Sequence, residues 1–286
     1  MVINMEIPRI ASGWSVMLKP EKYGDYVNDH TVFKDENGWR IIGITGKKGG
    51  GPSQEKYFID AGSKDILKPF SERGRTIDTG TLCWAPCVIK HGGLYFMYYG
   101  PSPTKMAVSS DAGEWMGYEI KVDAPFLACH RDHFILREEN GFLMYAAGTT
   151  PDGLSSISCL ESDDLVNWSF CGYALVASEQ APLRPAWGAF ESPYVVRRGK
   201  LLYLFTTYTD CRDCNYNDTL VFVSENPRSF GVYSGTGDGA VPVTKLYAHA
   251  PEIISCPEGD FITTCGWTDK PNPNPGCVSL ARLEWK

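Results

Sequence analysis

The chain has 286 residues, a net charge of −7 and 13% aromatic residues, and is long enough for one large all-β domain. The acidic balance and the absence of a Lys/Arg-rich run argue against nucleic-acid binding, and no apolar stretch reaches the roughly 18 residues of a membrane span. Because "MVINMEIPRI" at the N-terminus lacks a signal-peptide pattern, we expect a cytoplasmic protein.

A pair of apolar runs joined by a turn occurs five times along the chain. Each copy has a polar entry, an apolar run, a turn with Gly, Asn or Asp, and a second run that is often aromatic, which together predict a β-hairpin. In chain order, the copies are residues 28–46, 84–100, 130–148, 190–208 and 249–267.

The spacing of the copies predicts the fold. They begin roughly 45 to 60 residues apart, the length of a propeller blade of four strands. Between them, a strand ending in Ser, a turn and a following aromatic residue predict outer strands, at 108–120, 160–172 and 223–233, with a looser copy at 61–70. The sequence therefore predicts an all-β, five-bladed β-propeller as a single domain over residues 1–286, with a β-sandwich as the alternative.

Two loops carry motifs that we interpret as non-catalytic. The Gly-rich segment 46–58, "GKKGGGPSQEKYF", lacks the strand–GxxxxGK[ST]–helix context of a phosphate loop, and we expect a loop over the site. Cys211 and Cys214 form one CxxC without the second pair of a structural zinc site. We therefore expect the ten cysteines to be unpaired thiols.

The first residues of the five copies are predicted to meet at one end of the propeller axis. Several carboxylates would then share one cavity. Such a cluster raises the pKa values of its members and lowers the stability of the fold, so its presence indicates a function. Cleavage of a glycosidic bond uses such a set, one carboxyl as acid and one as base or nucleophile. Trp84, Trp187 and Phe190 are candidates for a wall that stacks on the sugar.

Short motifs in these copies resemble a known group of enzymes. They are "NDH" at 28–30, "WAPCV" at 84–88, "RDH" at 131–133, "SDDLVNW" at 162–168, "ESP" at 191–193 and "HAPEI" at 249–253. Their order and spacing resemble the five-bladed-propeller furanosidases of glycoside hydrolase families 43, 62, 32 and 68, family 43 above all. The chain departs from their pattern at Cys87, where relatives have Asp, and at His30 and His133, where relatives have Pro.

The resemblance implies roles for three carboxyl groups. Asp29 matches the general base or nucleophile, Asp132 the residue that modulates pKa and stabilises the transition state, and Glu191 the general acid. Arg131 beside Asp132 would keep that carboxylate ionised, and apolar neighbours would raise the pKa of Glu191. The predicted substrate-binding residues are Asn28, His30, Trp84, Arg131, His133, Phe190, His249 and Glu252.

The predicted function is hydrolysis of terminal furanosidic bonds in oligosaccharides, arabinofuranosyl first and fructofuranosyl second. No cofactor is required, although His249 matches a residue near an axial Ca²⁺ in some relatives. One alternative is a catalytically silent glycan-binding propeller. Another is a phosphorolytic enzyme, for which Arg131 and Arg184 are the candidate anion ligands. Whether the reaction inverts or retains configuration stays open.

Overall fold

The computed structural model describes residues 5–124 and 128–286, so residues 1–4 of the N-terminal segment discussed above lie outside it. The described residues form β-strands and one 3-10 turn at Pro52–Gln54, and no helix among them could cross a membrane. The first strands are β1 Pro8–Ile10, β2 Ser15–Leu18, β3 Asn28–Asp35, β4 Gly38–Ile44, β5 Phe58–Ser63, β6 Ser71–Thr76, β7 Trp84–His91, β8 Leu94–Gly100, β9 Lys105–Ser109, β10 Met116–Tyr118 and β11 Lys121–Asp123. The others are β12 Ala128–Glu138, β13 Gly141–Thr149, β14 Ser155–Ser162, β15 Asn167–Ala177, β16 Phe190–Arg198, β17 Leu201–Tyr208, β18 Asp218–Ser224, β19 Gly231–Tyr233, β20 Thr244–Tyr247, β21 Ile253–Cys256, β22 Gly259–Thr264 and β23 Val278–Trp285.

The strands form five sheets, the blades of a five-bladed β-propeller, which confirms the predicted fold. Blade I is β3–β6, blade II β7–β10, blade III β12–β15 with β11 and β19, blade IV β16–β18 with β20, and blade V β21–β23 with β1 and β2. The innermost strands, β3, β7, β12, β16 and β21, begin the five predicted hairpins. Of these, β7 packs against both β3 and β12, and β12 packs against β16.

The two ends of the chain meet in blade V. Strands β1 and β2 both pair antiparallel with the C-terminal β23, with Pro8 opposite Trp285 and Ser15 opposite Leu280. The N-terminal strands β1 and β2 thus form the outer edge of blade V. Their pairing with β23 closes the ring and covers a strand edge that would otherwise be free.

One outer strand lies in a different blade from the one predicted. The segment 223–233, predicted as an outer strand, follows the fourth hairpin and would belong to blade IV. Its strand β19 instead pairs in parallel with β15 of blade III, and β20 is the outer strand of blade IV. The reason is packing, because Phe230 and Tyr233 fit into the apolar core between blades III and IV.

The apolar cores lie between neighbouring blades, so the middle strands are covered on both faces. Strand β17, with the sequence LLYLFTTY, is buried along its whole length. It therefore lacks the apolar/polar alternation of a strand with one solvated face. This packing holds the inner strands in place around the axis.

Candidate active site

The innermost strand of each blade has the same irregularity near its start. A non-glycine residue there has a positive φ: Asp29 (25°), Ala85 (46°), Asp132 (56°), Ser192 (48°) and Ala250 (45°). In blades I to IV, the pairing with the second strand shifts at this point, as it does at a β-bulge. Such backbone strain clusters at functional sites, and here it recurs around the axis.

The residues that directly precede these five positive-φ residues line one cavity of about 610 Å³. One comes from each blade: Asn28, Trp84, Arg131, Glu191 and His249. The bulge residues Asp29 and Asp132 line the same cavity. The structure thus brings together the three carboxyl groups that the resemblance marks as catalytic.

Residues that follow the positive-φ positions lie elsewhere. His30, His133 and Glu252 line a second, much smaller cavity of about 20 Å³, which Asp29 and Asp132 separate from the first. It has room for about one water molecule, and so not for a sugar. This corrects the prediction that His30, His133 and Glu252 bind substrate. The positive-φ residues Asp29, Asp132 and Ala250 interrupt the alternation of side chains along each strand. The three residues that follow them therefore lie on the axis instead of in the cavity.

Ser192 connects the two aspartates. Its hydroxyl donates to Asp29 Oδ1 at 2.6 Å, and its backbone N–H donates to Asp132 Oδ2 at 3.1 Å. The amide of Asn28 donates to the other oxygen of Asp29, Oδ2, at 3.2 Å. These contacts fix both carboxyl groups beside the cavity and place each in the electrostatic field of the other.

Arg131 is the cation between the carboxyl groups. Its Nη2 donates to Glu191 Oε1 at 3.1 Å, and its Nε lies 3.5 Å from Asp132 Oδ2. The remaining N–H groups donate to the backbone carbonyls of Cys129, Trp187 and Gly188. Arg131 therefore neutralises charge on both carboxylates, and the shorter contact is with Glu191 rather than with the expected Asp132.

Burial raises the pKa of all three carboxyl groups. The pKa of Glu191 rises to about 7, although the charge of Arg131 lowers it. The pKa of Asp29 rises well above its usual value, through burial and then the charge of Asp132. Burial also raises the pKa of Asp132, against the opposing effect of Arg131. Three buried carboxyls with one guanidinium retain at least one proton near neutral pH.

Aromatic side chains form a wall of the cavity. Trp84, Trp187, Trp267 and Tyr216 line it, and Tyr216 stacks on His249 with ring centroids 4.0 Å apart. Aromatic faces suit the apolar C–H face of a sugar ring.

Phe190 is not part of this wall, which corrects that prediction. It is fully buried between blades III and IV, with its ring centroid 5.3 Å from that of Tyr208. Neighbouring side chains on a strand point to opposite faces. Since Glu191 lines the cavity, Phe190 faces the core.

Several cavity residues were missed in the sequence because they lie in loops. In a propeller, a hairpin returns to the end where its inner strand began, so the loop from the second to the third strand lies at that end. These loops contribute Pro52 and Glu55 in blade I, Pro101 and Ser102 in blade II, Cys211 and Tyr216 in blade IV, and Trp267 and Lys270 in blade V. Connectivity alone would have identified these segments.

Cys211, which we predicted to be an unpaired thiol without a catalytic role, contacts Glu191, the predicted general acid. Its Sγ lies 3.9 Å from Glu191 Oε1, the oxygen that also accepts from Arg131. Burial raises the pKa of the Cys211 thiol to about 12, so the thiol is neutral and donates. With Oε1 engaged twice, Oε2 is the oxygen of Glu191 left to carry a transferable proton.

His249 was the candidate metal ligand. Its Nδ1 lies 3.1 Å from the carbonyl oxygen of Cys265 and so carries the proton, which leaves Nε2 as the nitrogen with a free lone pair. Ca²⁺ takes six to eight oxygen ligands, but within 5–124 and 128–286 no three His, Cys, Asp or Glu side chains are arranged to hold a metal ion. The axial Ca²⁺ stays a prediction.

Glu252 gives a prediction about stability. Burial raises its pKa to about 8, and its Oε2 accepts only a long hydrogen bond, 3.3 Å, from the N–H of Val32. Between its usual pKa near 4.5 and this value, the folded state holds a proton that the unfolded state releases. Stability therefore falls as pH rises through this interval. Glu252→Gln, which cannot ionise, is expected to gain on the wild type by up to about 1.4 kcal/mol per pH unit.

Urea unfolding at about pH 5, 6.5 and 8 measures this effect, with the exposed Glu225→Gln as the matched control. The free energy of unfolding of the Glu252 variant should exceed that of the wild type most at the highest pH. A difference that is the same at all three pH values would show that Glu252 does not hold its proton in the folded state.

No family model and no curated protein sequence matches the chain. Its structure does match solved structures over nearly its whole length. It has the fold of the propeller furanosidases.

Three solved structures illustrate the match. A family-43 β-xylosidase/α-arabinofuranosidase from a compost microbial metagenome, solved with xylotriose, is 14% identical (TM-score 0.65) over 98% of this chain and 95% of that one. An α-L-arabinanase from Cellvibrio cellulosa, solved with arabinohexaose, is 14% identical (TM-score 0.63) over 91% and 95%. The family-32 β-fructofuranosidase of Bombyx mori is 14% identical (TM-score 0.67), and the match covers 93% of this chain and 61% of the silkworm enzyme.

Proposed function

We propose that the protein is a glycoside hydrolase that removes terminal furanosyl units from oligosaccharides, with arabinofuranosyl as the first candidate and fructofuranosyl as the second. The observation that carries this proposal is the meeting of Asp29, Asp132 and Glu191, from blades I, III and IV, in one aromatic-walled cavity. Two solved structures of the same fold hold xylotriose and arabinohexaose, which supports a carbohydrate as the substrate.

In the proposed reaction, Glu191 is the general acid. Its Oε2 gives a proton to the glycosidic oxygen as the bond from that oxygen to the anomeric carbon breaks. Asp29 takes a proton from the water that attacks the anomeric carbon, or attacks that carbon itself in a retaining reaction. Asp132 adds negative charge that stabilises the positive charge developing on the sugar ring.

The productive protonation state has Glu191 protonated and Asp29 ionised. Arg131 favours the ionised form of Glu191, and burial favours the protonated form of Asp29. In the free protein, a proton therefore also resides on Asp29, and the productive arrangement is one of three that carry one proton. All three arrangements give the same bell-shaped pH dependence, which belongs to the coupled set rather than to one residue.

The two arginines that the phosphorolytic alternative would use are not available to an anion in the cavity. The N–H groups of Arg131 are directed at Glu191, Asp132 and three backbone carbonyls, so none is left for a phosphate. Arg184, the other candidate, lies in a neighbouring groove and not in the cavity. Hydrolysis is thus better supported than phosphorolysis.

The cytoplasmic location of the protein stays a prediction.

The direct test is a panel of 4-nitrophenyl furanosides and pyranosides, assayed with and without inorganic phosphate. We expect release of nitrophenol from at least one furanoside, with a rate that does not depend on phosphate. A strict requirement for phosphate would favour phosphorolysis. Binding of arabino-oligosaccharides without turnover of any substrate would favour the glycan-binding alternative.

A further inference from the structure

One carboxyl group that the proposed reaction does not use also faces the cavity. Glu55 directly follows the 3-10 turn in the Gly-rich loop of blade I and lines the cavity, with only 1% of its surface exposed. No ion pair among the described residues includes Glu55. Burying a carboxyl without a cation is costly, so this group is more than a surface charge.

The two oxygens of Glu55 have different surroundings. Oε1 accepts hydrogen bonds from the Tyr26 hydroxyl at 2.8 Å and from the Trp267 indole N–H at 2.9 Å. Within the described part of the chain, no hydrogen bond ends on Oε2. The two donors hold the carboxyl plane in one orientation, and Oε2 is the oxygen left for a ligand in the cavity.

The position of Glu55 indicates which part of a ligand it would contact. Trp267, which donates to Glu55, stacks on Tyr216 with ring centroids 5.8 Å apart. The Tyr216 hydroxyl in turn donates to Oδ1 of Asn28, the neighbour of Asp29, at 2.7 Å. Glu55 therefore lies on the Asp29 side of the cavity. Trp84 and Trp267 line the cavity with it, so a polar atom is presented between surfaces that suit a sugar ring.

We infer that Glu55 determines specificity by binding, through Oε2, a hydroxyl group of the glycosyl unit whose anomeric carbon lies beside Asp29. This inference rests on the proposed function and adds to it the kind of sugar that is accepted. Sugars that place a hydroxyl at Oε2 are bound, and analogues that lack this hydroxyl leave a buried carboxyl oxygen unpaired.

Two variants test the role of Glu55. Glu55→Gln keeps an acceptor for Tyr26 and Trp267 but replaces Oε2 with an NH₂ group, and Glu55→Ala removes both oxygens. On the best nitrophenyl furanoside of the panel, each is expected to lower kcat/KM between roughly tenfold and a hundredfold, mainly through KM. Glu225→Gln, on the surface of blade IV, is the control for loss of one negative charge.

Monodeoxy analogues of that substrate separate a binding role from a structural one. For one analogue, the kcat/KM of the wild type should fall by a factor similar to that by which the Glu55 substitutions lower kcat/KM on the full substrate. The kcat/KM of the Glu55 variants should fall little when this analogue replaces the full substrate. If folded Glu55→Gln discriminates among the analogues as the wild type does, the inference is overturned. Should Glu55→Ala fail to fold, the Gln variant decides.

Failure of the proposed function gives a different result. If the wild type hydrolyses nothing on the panel, calorimetric titration with arabinose, xylose and fructose takes the place of turnover. Weaker binding by Glu55→Gln than by the wild type would keep the role of Glu55 and reject the hydrolase. Equal binding by both, or none by the wild type, would reject the role of Glu55 as well.

Discussion

Glu191→Gln is expected to lower kcat/KM on an oligosaccharide by roughly a hundredfold to ten-thousandfold, the range for loss of a general acid. The amide cannot give a proton to the glycosidic oxygen. It can still accept the hydrogen bonds that Arg131 and Cys211 direct at Oε1, so the fold should be kept. Initial rates on arabino- and fructo-oligosaccharides measure this effect.

The leaving group distinguishes the acid from the base. Nitrophenolate departs without a proton, so Glu191→Gln should retain far more of its activity on a nitrophenyl furanoside than on an oligosaccharide. Asp29→Asn should lose activity on both substrates, because a base or nucleophile is needed whatever group leaves. If Glu191→Gln loses the same factor on both, Glu191 is not the acid.

A control and a pH profile complete this experiment. Glu161→Gln, on the exposed face of blade III, should keep wild-type activity. Burial raises the pKa of Glu191 to about 7, and the coupled carboxyls must hold one proton for the reaction. Wild-type kcat/KM on the oligosaccharide should therefore fall above about pH 7, by about tenfold per pH unit. The residual activity of Glu191→Gln should lack this decline.

The fold could be predicted because a propeller repeats its hairpin. Turn residues and apolar runs recur in every blade, so the innermost strands were identified within a few residues. The closing strands could not be identified this way, because β1 and β2 pair with a strand some 270 residues away in sequence. No local pattern encodes such a partner. The position of β19 could not be predicted either, because a strand of three residues is too short to show a repeating pattern of apolar residues.

For the site, the sequence identified which strand ends converge but not which side chains face the cavity. The deciding feature is the positive-φ residue that directly follows Asn28, Trp84, Arg131, Glu191 and His249. It separates the cavity residues from His30, His133 and Glu252, which lie on the axis. A positive φ at a non-glycine residue such as Asp132 leaves no mark in the sequence. The loop 46–58 was expected over the site, and it does contribute Glu55 to the cavity. Its sequence has no strand pattern, however, that would single out Glu55 among its residues.

Arg131→Met is expected to destabilise the folded protein by about 3–5 kcal/mol near neutral pH, the usual cost of leaving buried charges without their partner. Arg131 is 8% exposed and lies between Asp132 and Glu191. Without it, burial raises the pKa of both carboxyls further. The free energy of unfolding, measured with urea, gives the loss.

The dependence of this loss on pH follows from its cause. A carboxyl whose pKa is higher in the folded state than in the unfolded state costs stability as pH rises above the unfolded value near 4. The loss in Arg131→Met should therefore be larger at about pH 7.5 than at about pH 4.5. At the lower pH, mainly the hydrogen bonds of Arg131 to backbone carbonyls are missing. The control is Arg197→Met, which removes an exposed ion pair with Glu138 worth about 0–1 kcal/mol.

A double variant separates the charge effect from lost packing. In Arg131→Met/Glu191→Gln, one of the two stranded carboxyls is gone, so part of the lost stability should return at about pH 7.5 and little at about pH 4.5. Equal losses in the single and double variants at both pH values would mean that Arg131 acts through packing alone. Recovery confined to the higher pH would show that Arg131 offsets the charge of Glu191. In that case, the guanidinium of Arg131 has two effects. It stabilises the packing of the blades, and it keeps the pKa of Glu191 near 7, which burial alone would raise further.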